Sequence, residues 1–427
     1  MRAAARAAMD GKAKPPGSMG LLEDWAVRLA ELQGTLAPRV ATCCLLLFAA
    51  DHGVTREQPA VSAYPREVTP AMFGAIARGQ AVSSALCRAN SIHLEVVDVG
   101  IDIEGDEEAQ GPGKHADAEA GAGAGAGAPG AGPAGAAAEG EAAAATARGG
   151  ERPRPLLTAV RARVARGSAS FLSGPAMTEG ECEAAIQAGA AAVARACERA
   201  AAEAAEADAA AAEAAAAALL AAGVDDDCGT PAAAAPWRGL ALGVGELGIG
   251  NTTAAAALVA ALTGARPAAV VGRGTGVGDA GLAAKTAAVA AALAANAALI
   301  KEGGALCALR AVGGLELAAM TGAYLEAGRR RLPVVVDGFI SGAAALAAAR
   351  HDPSILPCLF ASHASAEAGA AAVLEALGLR APLHMGMRLG EGTGAALALP
   401  LLRSAAALMT DVASLAEVMA AGGAGPA

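Results

Sequence analysis

Short, mainly apolar runs that stop abruptly at polar or glycine residues recur along this chain, with helical patterns between them. The runs are Ala41–Ala50, Ile92–Val99, Leu240–Val244, Ala268–Val271, Leu332–Val336 and Pro382–Met387. They lead into Asp51-His52-Gly53, Asp98–Asp102, Gly245-Glu246, Gly272-Arg273-Gly274, Asp337-Gly338 and Arg388–Gly394. A run with no polar face fits a strand buried on both sides. Helical patterns over Thr69–Ala89, Thr252–Leu262, Ala280–Ile300 and Gly342–Arg350 alternate with these runs. This alternation predicts an α/β class with a mainly parallel sheet covered on both faces. Ligands of such sheets bind outside the carboxyl ends of the strands. Here those ends carry the Asp, Glu and Gly residues, which points to one composite site.

Charge and cysteine usage narrow the class. With 32 Lys and Arg against 42 Asp and Glu, the net charge is −10, which argues against a nucleic-acid or anionic-membrane partner. The 427 residues suffice for one large or two moderate domains. Eight cysteines without a Cys-x-x-Cys pair read as reduced thiols of an intracellular protein, cytoplasmic by default. The basic, acid-free start Met1–Met9 leaves an organelle-targeting peptide open. The six histidines show no zinc-ligand spacing, so no metal is expected. The Ala-rich run Gly281–Ile300 contains Lys285 and reads as a buried helix rather than a membrane span.

At the N-terminus, the turn Lys14–Gly20 precedes Leu21, Leu22, Trp25, Leu29 and Leu32 at helical spacing, with Gly34 as the stop. Two stretches break the strand–helix pattern. Residues 105–150 are mainly Ala, Gly, Pro and Glu and read as a disordered insertion. Residues 198–236 begin as an Ala/Glu helix and dissolve into Asp225-Asp226-Asp227-Cys228-Gly229-Thr230. That acidic stretch loosely imitates a phosphoribosyl pyrophosphate loop, but no strand precedes it.

Three glycine-rich loops and one acidic one carry the chemistry. Gly243–Thr253 is a strand-to-helix turn whose free N–H groups suit a phosphate. Its Gly-x-Gly-x-x-Gly spacing imitates a dinucleotide site, yet Glu246 inside the turn repels a pyrophosphate and no acid lies about twenty residues on. Gly272–Gly278 leads to Lys285, which is either a surface lysine or a phosphate ligand. Asp337–Ser341 and Ser362–Glu367 add hydroxyls, and His363 reads as a structural histidine. In Arg388–Gly394, Glu391 stands between glycines. It is either a carboxylate aimed at a substrate or a helix-start acid favoured by the helix dipole.

Taken in order, Lys14–Gly20, Ala50–Gly53, Val61–Pro65, Asp98–Asp102, Arg166–Ser168, Gly174–Met177, Gly245–Thr253, Gly313-Gly314, Asp337–Phe339, Ser362–Glu367 and Arg388–Gly394 resemble the nicotinate-nucleotide–dimethylbenzimidazole phosphoribosyltransferases. The resemblance implies a three-layer α/β/α, Rossmann-like domain across the chain. A smaller helical part would come from about residues 1–35 and the C-terminal helices. It further implies a homodimer, no cofactor and no metal, and the substrates nicotinate mononucleotide and 5,6-dimethylbenzimidazole. By the same resemblance Glu391 matches the general base and Glu246 a second carboxylate near the ribose. Gly248, Lys285, Gly338 and Ser365 match positions around the phosphate, and Tyr64, Met72 and Leu389 the base pocket. Two departures stand out: Ser170 where Asn or Asp is common, and Leu315 where Phe is common. The alternatives are a non-catalytic nucleotide-binding homologue and a transferase using another base or phosphoribosyl pyrophosphate.

Overall fold

Six strands among the described residues form one sheet in which every pairing is parallel, in the order β3-β2-β1-β4-β5-β6. They are β1 Thr42–Ala50, β2 His93–Gly100, β3 Leu157–Arg161, β4 Leu240–Leu247, β5 Val334–Val336 and β6 Leu359–Ala361. The computed structural model describes residues 1–103, 156–222, 239–274 and 276–423. The predicted 105–150 insertion, the end of the second insertion and its acidic stretch therefore lie outside the described residues.

In β1, Cys43 through Ala50 are all buried, as a strand covered on both faces requires. The chain builds outward from β1 through β2 to β3, then returns to the other side of β1 with β4. Strand order thus reverses between β1 and β4, where Phe48 pairs Glu246 and Ala49 pairs Leu247. Such a switch point opens a crevice at the carboxyl ends of its two strands.

Two predicted strands are corrected. Ala268–Val271 is instead a single helical turn, Pro267–Val270. Pro267 at its start presets a helical φ, and Ala268 and Ala269 are exposed while only Val270 is buried. Pro382–Met387 is not a strand either and forms only an isolated bridge between His363 and Leu383. Pro382 lacks a donor N–H, and Gly386 turns the chain at φ 66°. Conversely, β3 and β6 are strands that no buried apolar run announced. The helical pattern over Thr69–Ala89 is two helices, Val68–Ala77 and Val82–Ala89, parted by Gly79 at φ 74°.

Helices near both chain ends pack on one another. Arg2–Asp10 lies on Leu21–Gln33, which lies on Thr393–Thr410. The two ends are stitched by Ala13 N–H to Ala413 O at 2.9 Å and Leu415 N–H to Gly11 O at 2.9 Å. The Lys14–Gly20 turn is organised by a buried carboxylate: Glu23 accepts from Lys14 Nζ at 2.7 Å, Met19 N–H at 2.9 Å and Gly17 N–H at 3.0 Å. Trp25 is core, edge-on to Phe360 with ring centres 5.3 Å apart. Thr393–Thr410 is the one helix among the described residues long and apolar enough to cross a membrane. Its apolar positions, including Ala395, Ala396, Ala398, Leu399 and Leu402, are instead buried against the sheet and neighbouring helices.

Candidate active site

A cavity of about 640 Å³ opens at the carboxyl ends of the strands. The end of β4, Glu246 and Leu247, lines it. Glu246, one residue short of the end of that strand, is buried, and its Oε2 accepts a hydrogen bond from Asn251 Nδ2. Burial lifts the Glu246 carboxyl well above the usual glutamate range, and repulsion from Asp337, Glu316 and Glu391 lifts it further.

The loop carrying Glu391 is held in a conformation that glycine accepts and glutamate resists. Gly390, Glu391 and Gly392 have φ of 82°, 56° and 67° in succession. A left-handed residue with a Cβ costs on the order of 1–3 kcal/mol and persists only where the surroundings fix it. Here Thr393 Oγ1 donates to Gly390 O at 2.8 Å, Ala396 N–H to Gly392 O at 2.9 Å, and Ala395 N–H to Asp337 Oδ1 at 2.9 Å. A Cβ on Gly390 would come within 2.3 Å of Glu246 Oε1, so glycine there lets the loop lie directly on the second carboxyl.

Gly392 caps the helix Thr393–Thr410, which places Glu391 just outside the helix start. A solvated dipole-pairing acid would be exposed, but Glu391 is only 7% exposed, lines the cavity, and its Oε2 has no hydrogen-bond partner. Burial raises its pKa above the ordinary 4.5, with the nearby Ser83 hydroxyl opposing.

Asp337, at the end of β5, also lines the cavity. Burial pushes it up to about 7 against the backbone N–H groups of Ala395, Gly394 and Gly392. Three buried carboxyls that repel one another favour whatever brings positive charge among them.

Phosphate chemistry fits the other side of the Gly248 turn. A Cβ on Gly248 would meet Ala50 O at 2.2 Å, so glycine lets this turn touch the end of β1. Beyond it lies a small adjoining cavity of about 50 Å³ lined by Lys285, Thr252, Gly274 and Arg273 among others. Lys285 is buried rather than a surface lysine. Its Nζ donates to Thr252 Oγ1 at 2.8 Å, and burial lowers its pKa to about 8. The helix Asn251–Thr263 starts here, capped by Gly250 at φ 97°. Gly243 and Gly245 serve packing instead: Cβ atoms there would meet Ala395 at 3.0 Å and the Gly392 backbone N at 2.4 Å.

The structure thus brings Glu246, Glu391, Gly248, Gly338, Ser365, Tyr64, Met72 and Leu389 to the main cavity and Lys285 to its annex. Tyr64 and Leu389 are exposed and Met72 half-buried, and all three contribute apolar surface to the cavity lining. His363 is buried, with Nδ1 2.9 Å from Ser362 Oγ, and its ring also borders the cavity. Asp337, Asn251 and Arg388 join the lining; the sequence marked the loops that carry them but gave these three residues no role. The signal for Asp337 was present, since it directly follows an apolar run. Among the described residues, no group of three or more His, Cys, Asp or Glu side chains is placed to hold a metal ion.

Comparison with known proteins matches this arrangement. A family model described as phosphoribosyltransferase matches residues 1–235 and 230–419. The nicotinate-nucleotide–dimethylbenzimidazole phosphoribosyltransferase of Chromobacterium violaceum is 40% identical over 421 residues, covering 99% of this chain and 96% of that one. The Thermus thermophilus enzyme of the same name is 39% identical, covering 95% and 94%. The crystal structure of CobT from Thermus thermophilus superposes with a TM-score of 0.71 at 37% identity, over 98% of both chains. With relatives this similar along nearly its whole length, the chain belongs to the nicotinate-nucleotide–dimethylbenzimidazole phosphoribosyltransferase family.

Proposed function

We propose that this enzyme transfers the phosphoribosyl group of nicotinate mononucleotide to 5,6-dimethylbenzimidazole, giving nicotinate and α-ribazole 5′-phosphate. The observation that carries this reading is the convergence of two buried glutamates, Glu246 and Glu391, on one cavity with a buried lysine in its annex. The sugar's anomeric carbon becomes cation-like as its bond to the pyridinium nitrogen breaks, and carboxylates beside it stabilise that charge. The bond electrons return to the pyridine nitrogen, so the leaving group needs no acid. The benzimidazole attacks through its bare ring nitrogen on the opposite face, and its other ring N–H gives up its proton. Glu391 is the base for that proton, Glu246 faces the ribose, and Lys285 with the Asn251 helix start holds the phosphate.

Pure protein incubated with nicotinate mononucleotide and 5,6-dimethylbenzimidazole is expected to release nicotinate and α-ribazole phosphate in equal amounts, with chelator present. Turnover only with phosphoribosyl pyrophosphate and Mg²⁺ would replace this donor with the other. Lys285→Ala should chiefly raise KM for the nucleotide, because phosphate is held alike in ground and transition states. A hydrogen-bonded charge of this kind is worth about 1.5–3 kcal/mol, so a rise of about 10- to 100-fold is expected. A fall in kcat with KM unchanged would mean that the lysine acts on the reacting bond instead.

A further inference from the structure

Asp102 borders neither cavity, yet it ties down a segment that lines both. It follows β2, and its side chain is only 6% exposed. Its Oδ2 accepts from both Arg56 and Arg66, and its Oδ1 accepts from Arg166 Nε at 3.0 Å. Its own N–H donates to Asp51 Oδ2 at 2.9 Å, which anchors it just past the end of β1. Burial opposes the ionised form, but the hydrogen bonds from Arg66 and Arg56 outweigh it and hold the pKa below the ordinary aspartate range.

Arg56 and Arg66 stand at the two ends of residues 57–65. Within that segment Val61, Ser62 and Ala63 line the annex with Lys285, and Tyr64 lines the main cavity. The segment lies against the helix Asp279–Ala295, which carries Lys285: a Cβ on Gly281 would come within 3.0 Å of Ala60 O. Its own hydrogen bonds are local, such as Val61 N–H to Gln58 O at 3.1 Å and Ser62 N–H to Pro59 O at 3.2 Å. Fastening both ends of a loop to one point removes most of its open conformations. The fastening is electrostatic, because three guanidiniums share one carboxylate and would repel one another without it. Resting on the transfer reading above, we infer that Asp102 is a positioning residue: it clasps residues 57–65 against the annex and the main cavity, and so sets how tightly both substrates are held.

The test uses Asp102→Asn, the pair Arg56→Gln with Arg66→Gln, and all three together. Asparagine keeps the shape of the side chain and loses the charge. Asp102→Asn should raise KM for nicotinate mononucleotide and for 5,6-dimethylbenzimidazole by about tenfold, from the loss of charged hydrogen bonds. Its kcat should stay within about threefold of the parent's, because neither Glu246 nor Glu391 lies in the segment. The arginine pair should act alike, and the triple variant should be no worse than Asp102→Asn, since changes to one shared contact do not add. Hydrogen exchange at the amides of Gln58, Val61 and Ser62 should quicken about tenfold or more in each variant, while the amides of β1 and β4 keep their protection. A lowered melting temperature with both KM values unchanged would make Asp102 a residue of the fold alone and overturn the inference. Unchanged exchange in residues 57–65, or fully additive losses in the triple variant, would overturn it too. Should Asp102→Asn not fold, the arginine pair carries the same two readouts. A parent enzyme with no turnover on these substrates would sink the transfer reading, while the exchange comparison, which needs no substrate, still decides whether the clasp exists.

Discussion

Glu391→Gln is expected to lower kcat by about 10² to 10⁴ while both substrates still bind. That loss corresponds to roughly 3–5 kcal/mol of barrier at 1.36 kcal/mol per decade. Glutamine keeps the shape of the side chain but cannot accept a proton at neutral pH. The pH profile adds a second readout. Burial raises the Glu391 pKa above 4.5, and a base works only when deprotonated. The parent's rate should therefore climb with pH along a limb set by a carboxyl titrating above the ordinary range, and the glutamine variant should lack that limb. A helix-start acid predicts instead a stability loss of about 0.3–1 kcal/mol and near-normal turnover. A variant within about threefold of the parent would transfer the role to Glu246, which faces the same cavity.

The parts legible in sequence are those whose physics is local. β1, β2, β4 and β5 are buried along almost their whole length, so their sequences are mainly apolar, even though β2 carries His93, Glu95 and Asp98 and β4 carries Glu246. β3 is an edge strand whose residues are half-buried or exposed, and β6 has only three residues. Neither can carry a periodic signal. Ala268–Val271 misled because small apolar residues tolerate exposure, and composition alone does not show which way they face. Glu246 and Glu391 stood out because glycines flank them and the chain there must approach another segment closely.

Asp337 was harder. Its partner Ala395 comes from a helix 58 residues away, and the contact exists only once β5 and that helix are packed. Lys285 was left open between surface and site because burial is a tertiary fact.

The close approach of β4 to the Glu391 loop gives the second large effect, at Gly245. A Cβ there would stand 2.4 Å from Gly392 N, 2.5 Å from Gly392 Cα and 3.2 Å from Glu391 C. Comfortable carbon contacts begin near 3.5 Å, so Gly245→Ala forces a movement of roughly 1 Å. The strand cannot supply it, because β4 is paired with β1 on one side and β5 on the other. The loop must therefore shift, and it carries Glu391 with it. Misplacing a catalytic group by about 1 Å costs on the order of 10² in rate. Overpacking alone costs about 1–3 kcal/mol of stability, so the folded protein should persist with a lowered melting temperature. Gly174→Ala is the control, since a Cβ there meets nothing within 4 Å. It should leave both rate and melting temperature near the parent's. Comparable turnover in Gly245→Ala and Gly174→Ala would show that the loop absorbs the methyl without displacing Glu391. The placement of that glutamate would then not depend on backbone contact with β4.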